Sequence, residues 1–180
     1  HYDVILPPLA VGAGLGEIGR NGYLIAPKYG ARVRAFAVLT DMPLIPDKPI
    51  SLGVEEFCKK CLKCADACPS RSIPTGEMTV SRGVRKWKLN EEACYDYWAR
   101  VGTDCGICMA ICPFSRPNNN FHKMIRWVVA YSPIAKALFP YIDNLIYGKK
   151  WRSRHVPDWI SFPKRSEAED FPKYSTDIKY

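Results

Sequence analysis

The chain has 180 residues, room for one domain or one and a half, and 47% of them are hydrophobic, enough for a real core. No run of about 18 uncharged apolar residues occurs, so no segment reads as a membrane-spanning helix; the nearest, Trp127 to Ile142, is broken by Pro133, Lys136 and Pro140. The net charge of +8 is uneven, with eleven Lys and Arg against six Asp and Glu over residues 119–180, which suits a solvated basic face as well as nucleic acid, an anionic surface or an acidic partner.

The chain starts at His1 and turns apolar at once, at Val4-Ile5-Leu6, so it reads as a segment of something longer in which a leader peptide would not be visible. Within residues 4–30, Gly14-x-Gly16-x-x-Gly19 matches the dinucleotide fingerprint, with Asp41 at about the expected offset. Context argues against it. Pro7-Pro8 spoils the strand that should precede the glycines, and Asn21-Gly22, Pro27 and Gly30 break up the crossover helix that should follow. The glycines instead let backbone approach a large flat ligand or a packed neighbour, or merely form a turn. Residues 32–39 alternate early and turn apolar late, as a strand entering a core does. Residues 41–50 hold three prolines and read as a linker.

Cys58, Cys61, Cys64 and Cys68 then follow in a C-x-x-C-x-x-C-x-x-x-C-P run, and Cys94 precedes Cys105-x-x-Cys108-x-x-x-Cys112-Pro113. The first run has the bacterial ferredoxin spacing, in which the fourth Cys ligates the other [4Fe–4S] cluster. One cluster therefore takes Cys58, Cys61, Cys64 and Cys112, the other Cys68, Cys94, Cys105 and Cys108, and no cysteine of the eight is left over. Two-residue gaps let three thiolates curl round a cubane corner while backbone amides point at its sulfurs. The x-x-x step starts a short helix, and Pro69 and Pro113 turn the chain out. Zinc sites show paired C-x-x-C knuckles instead, and disulfide frameworks belong to shorter secreted chains. Between the runs, Thr79 to Leu89 reads as a hairpin turning at Gly83.

Residues 119–147 predict one or two helices, with Phe121, Ile125, Val128, Val129 and Leu138 at near-helical spacing. The run from Lys149 to His155 is basic with an aromatic inside, and 163–180 reads as an extended or loose tail. His1, His122 and His155 are scattered, each a surface or core residue before a base or ligand. Glu17, Asp41 and Asp104 are the acids to watch, each equally a cap or a turn residue.

The ordered segments Ala13 to Gly22, Leu39 to Leu44, Gly53 to Cys58, Cys94-Tyr-Asp-Tyr-Trp98 and Asp104 to Phe114 together resemble the corrinoid-dependent reductive dehalogenases over roughly residues 1–155. The resemblance implies an α+β chain. The C-terminal part of a nitroreductase-like corrinoid domain fills residues 1–50, a ferredoxin-like domain with two [4Fe–4S] clusters 51–117, and a helical segment with a tail 118–180. It also implies a base-off, cobalamin-type corrinoid near Gly12, Gly14, Leu15, Gly16, Gly19 and Asn21. No Asp-x-His-x-x-Gly occurs, in keeping with a corrinoid that has no protein axial ligand. The family's proton-donating Tyr is expected upstream of His1. Where relatives carry a basic residue late on the strand before Thr40-Asp41, this chain has Ala37, leaving Arg34 as the candidate.

The activity implied is replacement of carbon-bound halogen by hydrogen. An organohalide is the substrate, a membrane anchor protein the partner, and a quinol- or hydrogenase-linked donor the electron source. The implied place is the outer face of the cytoplasmic membrane, with the aromatic, basic stretch 121–155 as a docking surface. Nucleic acid has no part in this reading. It has one in the alternative, epoxyqueuosine reductase acting on tRNA, from which the Cys94–Cys105 spacing departs. A ferredoxin-type carrier is the third reading, and it would leave residues 10–30 without a role.

Overall fold

The computed structural model describes residues 5–149 apart from residue 82. Helix α1 (Leu6–Gly12) begins where Pro7 and Pro8 sit in its first turn, a place where a missing N–H costs nothing. Strands β1 (Glu17–Ile18) and β2 (Leu24–Ile25) pair antiparallel, Glu17 opposite Ile25. A helix before the glycines and a hairpin across them agree with the rejection of a dinucleotide fold.

Residues 33–40 form no strand, against the expectation for 32–39. The alternating pattern is present but no strand lies alongside it among the described residues. Without a ladder the backbone stays irregular, and Phe36, Val38 and Leu39 stand exposed. Residues 41–50 continue as an exposed connection.

Helix α2 (Val54–Lys60) carries Glu55 and Glu56 in its first turn and Lys59 and Lys60 in its last, matching the helix dipole. Glu17 Oε2 accepts hydrogen bonds from the Leu52 and Val54 amides, both 2.9 Å, so this acid works as a cap. Helix α3 (Lys63–Asp66) and helix α5 (Ile107–Ala110) carry Cys64 and Cys108 and run into the three-residue steps of the two cysteine runs, where short helices were expected, and pack on each other. The hairpin of β3 (Thr79–Ser81) and β4 (Val84–Lys86) turns at Gly83, whose φ is 77°.

Helix α4 (Glu91–Val101) is capped by Asn90 Oδ1, which accepts from the Ala93 amide, and stops at left-handed Gly102. Helices α6 (Asn120–Tyr131) and α7 (Pro133–Tyr147) meet at Ser132, which ends the first and caps the second. Of the five positions at near-helical spacing Val129 is buried, Ile125 and Val128 are half-buried, and Phe121 and Leu138 face outward. Apolar residues occur on both faces of α6 and α7, so periodicity alone does not identify the inner one. Of the basic run, only Lys149 lies within the described residues; it pairs with Asp66. The rest of that run, the tail, His1 and His155 lie outside them.

One core joins all three sequence segments: Ile25 and Ala31, then Val54, Phe57, Trp87 and Phe114, then Val129 and Ala135. Phe57 and Phe114 meet edge to face at 4.9 Å. Gly30 makes this union possible. Its φ is 61°, and a Cβ there would stand 2.3 Å from the Phe114 carbonyl oxygen. No helix among the described residues is long and apolar enough to cross a membrane.

Candidate metal centre

The eight thiols divide by depth. Cys58, Cys61, Cys64 and Cys112 are buried; Cys68, Cys94, Cys105 and Cys108 are half-buried. Helix α2 supplies Cys58 and ends at Cys61, α3 supplies Cys64, and Cys112 arrives from the second run just before the 3-10 turn Pro113–Ser115.

Electrostatic neighbourhood divides them the same way. Burial pushes the Cys64 thiol well up, and Cys58, Cys112 and Cys61 push it further. Burial raises Cys94, with Cys68 and Cys105 adding to it. Burial also lifts Cys108 to about 11, with Cys105, Cys68 and Cys94 contributing. Thus Cys112 joins the first run's three cysteines and Cys68 joins the second run's, each crossing over. Cys108 is felt at Cys64 as well, so the groups adjoin.

Polar hydrogens surround both groups. Amides of Phe114 and Ser115 oppose the burial that lifts Cys112, and the Lys63 amide does so at Cys61. Burial raises Cys68, but hydrogen bonds from the Ser70 hydroxyl and the Ser72, Ile73 and Ser70 amides outweigh it and bring that thiol below its ordinary value. The Ser72 amide lies 3.3 Å from Cys68 Sγ. Such donors favour thiolate over thiol, which metal ligation requires.

Each group borders a cavity. The first is lined by its four cysteines with Arg20, Asn21, Ile25 and Phe57; the second by its four with Tyr23, Leu89 and Trp98. Asn21, 2% exposed, borders both and donates to the Cys108 carbonyl. No three Cys, His, Asp or Glu side chains among the described residues converge as one metal ion requires. Thiols standing round a space rather than a point suit a cubane better than Zn2+, whose thiolates sit about 2.3 Å from a single ion. The residues fit such a cluster in donor chemistry, number and amide supply.

The remaining candidates are dispersed. Gly12 and Leu15 are exposed, Gly14 is half-buried, and Gly16 and Gly19 are buried. Gly14 and Gly16 hold packed neighbours: a Cβ on them would meet the Lys48 and Ile25 carbonyl oxygens at 2.5 and 2.2 Å. Arg34, Asp41 and Asp104 are exposed. His122 is buried, its Nε2 2.7 Å from the Tyr147 hydroxyl and its Nδ1 2.6 Å from Asn119 Oδ1, a core histidine. Sequence reasoning missed Arg20, Lys63 and Asp143, all buried beside the first group. A basic residue directly before Cys64 was the one available hint.

Residues 57–115 match the family model described as a 4Fe-4S dicluster domain. The chain is 40% identical over 157 residues to the tetrachloroethene reductive dehalogenase of Sulfurospirillum multivorans, covering 83% of this chain and 31% of that protein. A solved catabolic reductive dehalogenase, in complex with 3-bromo-4-hydroxybenzoic acid, superposes with a TM-score of 0.79 at 32% identity over 83% of this chain and 22% of its own; another solved reductive dehalogenase is described as suggesting a mechanism for B12-dependent dehalogenation. An epoxyqueuosine reductase of Lactococcus garvieae is more distant, 26% identical over 130 residues, 63% of this chain and 33% of that protein. The chain thus spans about a third or less of each relative's length.

Proposed function

We propose that this chain, a homologue of the reductive dehalogenases over most of its length and so of an oxidoreductase family, belongs to a protein that replaces carbon-bound halogen with hydrogen. What carries the reading is that Cys112 lines one cavity with Cys58, Cys61 and Cys64, while Cys68 lines the other with Cys94, Cys105 and Cys108. A ligand set shared across the two runs is the ferredoxin arrangement for two [4Fe–4S] clusters.

Cys58, Cys61, Cys64 and Cys112 would hold one cluster, and Cys68, Cys94, Cys105 and Cys108 the other. Such clusters supply one-electron transfer when bound. The chain's own part is to keep the sulfurs ionised with amides, and to shut water away from the first group through Phe57, Phe114 and Ile25. The overall reaction takes two electrons and one proton, breaks the carbon–halogen bond, forms a carbon–hydrogen bond and releases halide.

A base-off corrinoid in a nitroreductase-like domain is part of the proposal, supported by the neighbour described as B12-dependent. Of the candidate residues for it in the glycine-rich segment, Gly12 and Leu15 are exposed, and Arg34 is exposed likewise. An organohalide substrate, a membrane anchor at the outer face of the cytoplasmic membrane and a quinol- or hydrogenase-linked donor complete the reading. The exposed aromatic residues Trp127, Tyr131 and Tyr141 supply a surface for the anchor.

The test is halide release by the native protein, purified anaerobically, with reduced viologen and chloroethenes or halophenols. Release that stops when corrinoid is withheld supports the proposal. No release with clusters and corrinoid bound, together with activity on tRNA carrying the epoxide, replaces it by the more distant relative's reaction.

A further inference from the structure

The deeper of the two thiol groups also has beside it a cation that no carboxylate pairs among the described residues. Arg20 is 2% exposed. Its Nε donates to the Cys58 carbonyl at 3.0 Å, and its Nη1 to the Pro74 and Gly76 carbonyls at 2.8 and 2.9 Å. Its guanidinium carbon lies 4.6 Å from the centre of the Trp87 ring. Each of these partners is neutral, and no carboxylate pairs with Arg20 among the described residues. The other buried cation, Lys63, shares Asp143 with Arg116.

A buried guanidinium loses several kcal/mol of hydration, which carbonyl dipoles and an aromatic face offset only in part. The missing counter-charge is available in one direction. Arg20 lines the cavity bounded by Cys58, Cys61, Cys64 and Cys112. A cubane with four thiolates is a net anion and gains a further negative charge on reduction. Burial alone disfavours that gain and lowers the potential; a cation fixed alongside favours it. The cavity around Cys68, Cys94, Cys105 and Cys108 is lined by Glu91 and by no Lys or Arg.

We infer that Arg20 is the positioning residue for the potential of the cluster held by Cys58, Cys61, Cys64 and Cys112, raising it so that the deeper cluster takes single electrons from the shallower one. One electron leaves the reduced shallow cluster and reduces the deep one; no proton moves. The inference rests on the two-cluster reading and not on the halogenated substrate.

The experiment is an EPR-monitored reductive titration of the cluster-loaded full chain. The two signals are assigned with Cys94→Ser, which alters the shallow one. In the unaltered protein the deep cluster's midpoint lies at or above the shallow one's. Arg20→Gln lowers the deep midpoint by about tenfold in the one-electron equilibrium, 59 mV, while Arg20→Lys, keeping the charge, moves it less than half as far. The shallow midpoint changes little in either. A deep midpoint unmoved in Arg20→Gln, or both midpoints moving together, overturns the inference. Should Arg20→Gln fail to assemble the deep cluster, the unaltered protein decides: a deep midpoint more than tenfold below the shallow one overturns it. Iron and sulfide short of two clusters instead overturn the reading beneath it, so the two failures are told apart.

Discussion

Asp143→Asn tests what holds α7 to the cysteine domain. Asp143 accepts from Lys63 Nζ and, in a fork, from Arg116 Nε and Nη2, both at 2.9 Å. Side-chain exposure is 2% for Lys63, 7% for Asp143 and 16% for Arg116, so the variant leaves a buried ammonium with neutral acceptors alone, the new amide oxygen and the residue-143 carbonyl at 3.3 Å. Removing one partner of a buried pair costs about 3–5 kcal/mol. Arg116 keeps some water and its stack on Tyr147, 3.9 Å from the ring centre, which places the cost near the lower end. At roughly 2–4 °C per kcal/mol for a chain of this size, a loss of about 3 kcal/mol lowers the apparent melting temperature by about 6–12 °C. Far-UV circular dichroism of the cluster-loaded protein, scanned anaerobically at one rate, reads it. The loss persists in high salt, since buried pairs are little screened. Replacing both charges, Lys63→Met with Asp143→Leu, recovers part of the loss, because apolar substitutes need no hydration while Arg116 stays without its carboxylate. A double variant as unstable as Asp143→Asn, or a single variant within about 2 °C of the unaltered protein, refutes the reasoning.

The crossed ligand sets predict that Cys112→Ser perturbs the same EPR signal as Cys61→Ser, and Cys68→Ser the same signal as Cys105→Ser; signals that group by position in the chain instead would reject the crossing. Acid should loosen α6. Burial depresses His122 and the nearby Arg126 and Arg116 depress it further, so the folded state binds its proton less readily than the unfolded chain. Its contribution is complete above about pH 6.5, the ordinary value, and is lost as pH falls towards the depressed one. His122→Gln flattens that part of the melting-temperature profile between pH 7.5 and 5.5; an unchanged slope would show that other groups set it.

Sequence and structure agree where the determinants are local. Ligand spacing within a cysteine run is a covalent constraint, so the two runs themselves were legible, as were the turn at Gly83 and the short helices α3 and α5. The helix break at Ser132-Pro133 was legible in kind, since residues 119–147 predict one or two helices. The pattern at 32–39 misled because alternation describes a strand's surface and cannot supply its partner. What stayed illegible is the charge environment, which comes from distant pairs. Arg20 reaches carbonyls of Cys58, Pro74 and Gly76, and Lys63 reaches Asp143. No spacing rule links those positions. A ferredoxin-type run therefore tells where the electrons can sit but not how strongly they are held there. For this chain the inferred share of that second property falls to one arginine inside a glycine-rich segment whose motif, read by itself, matched a nucleotide fingerprint. Its guanidinium has neutral partners, and Arg20 lines the same cavity as the four cysteines, which ties that segment to the cluster chemistry more directly than any of its glycines.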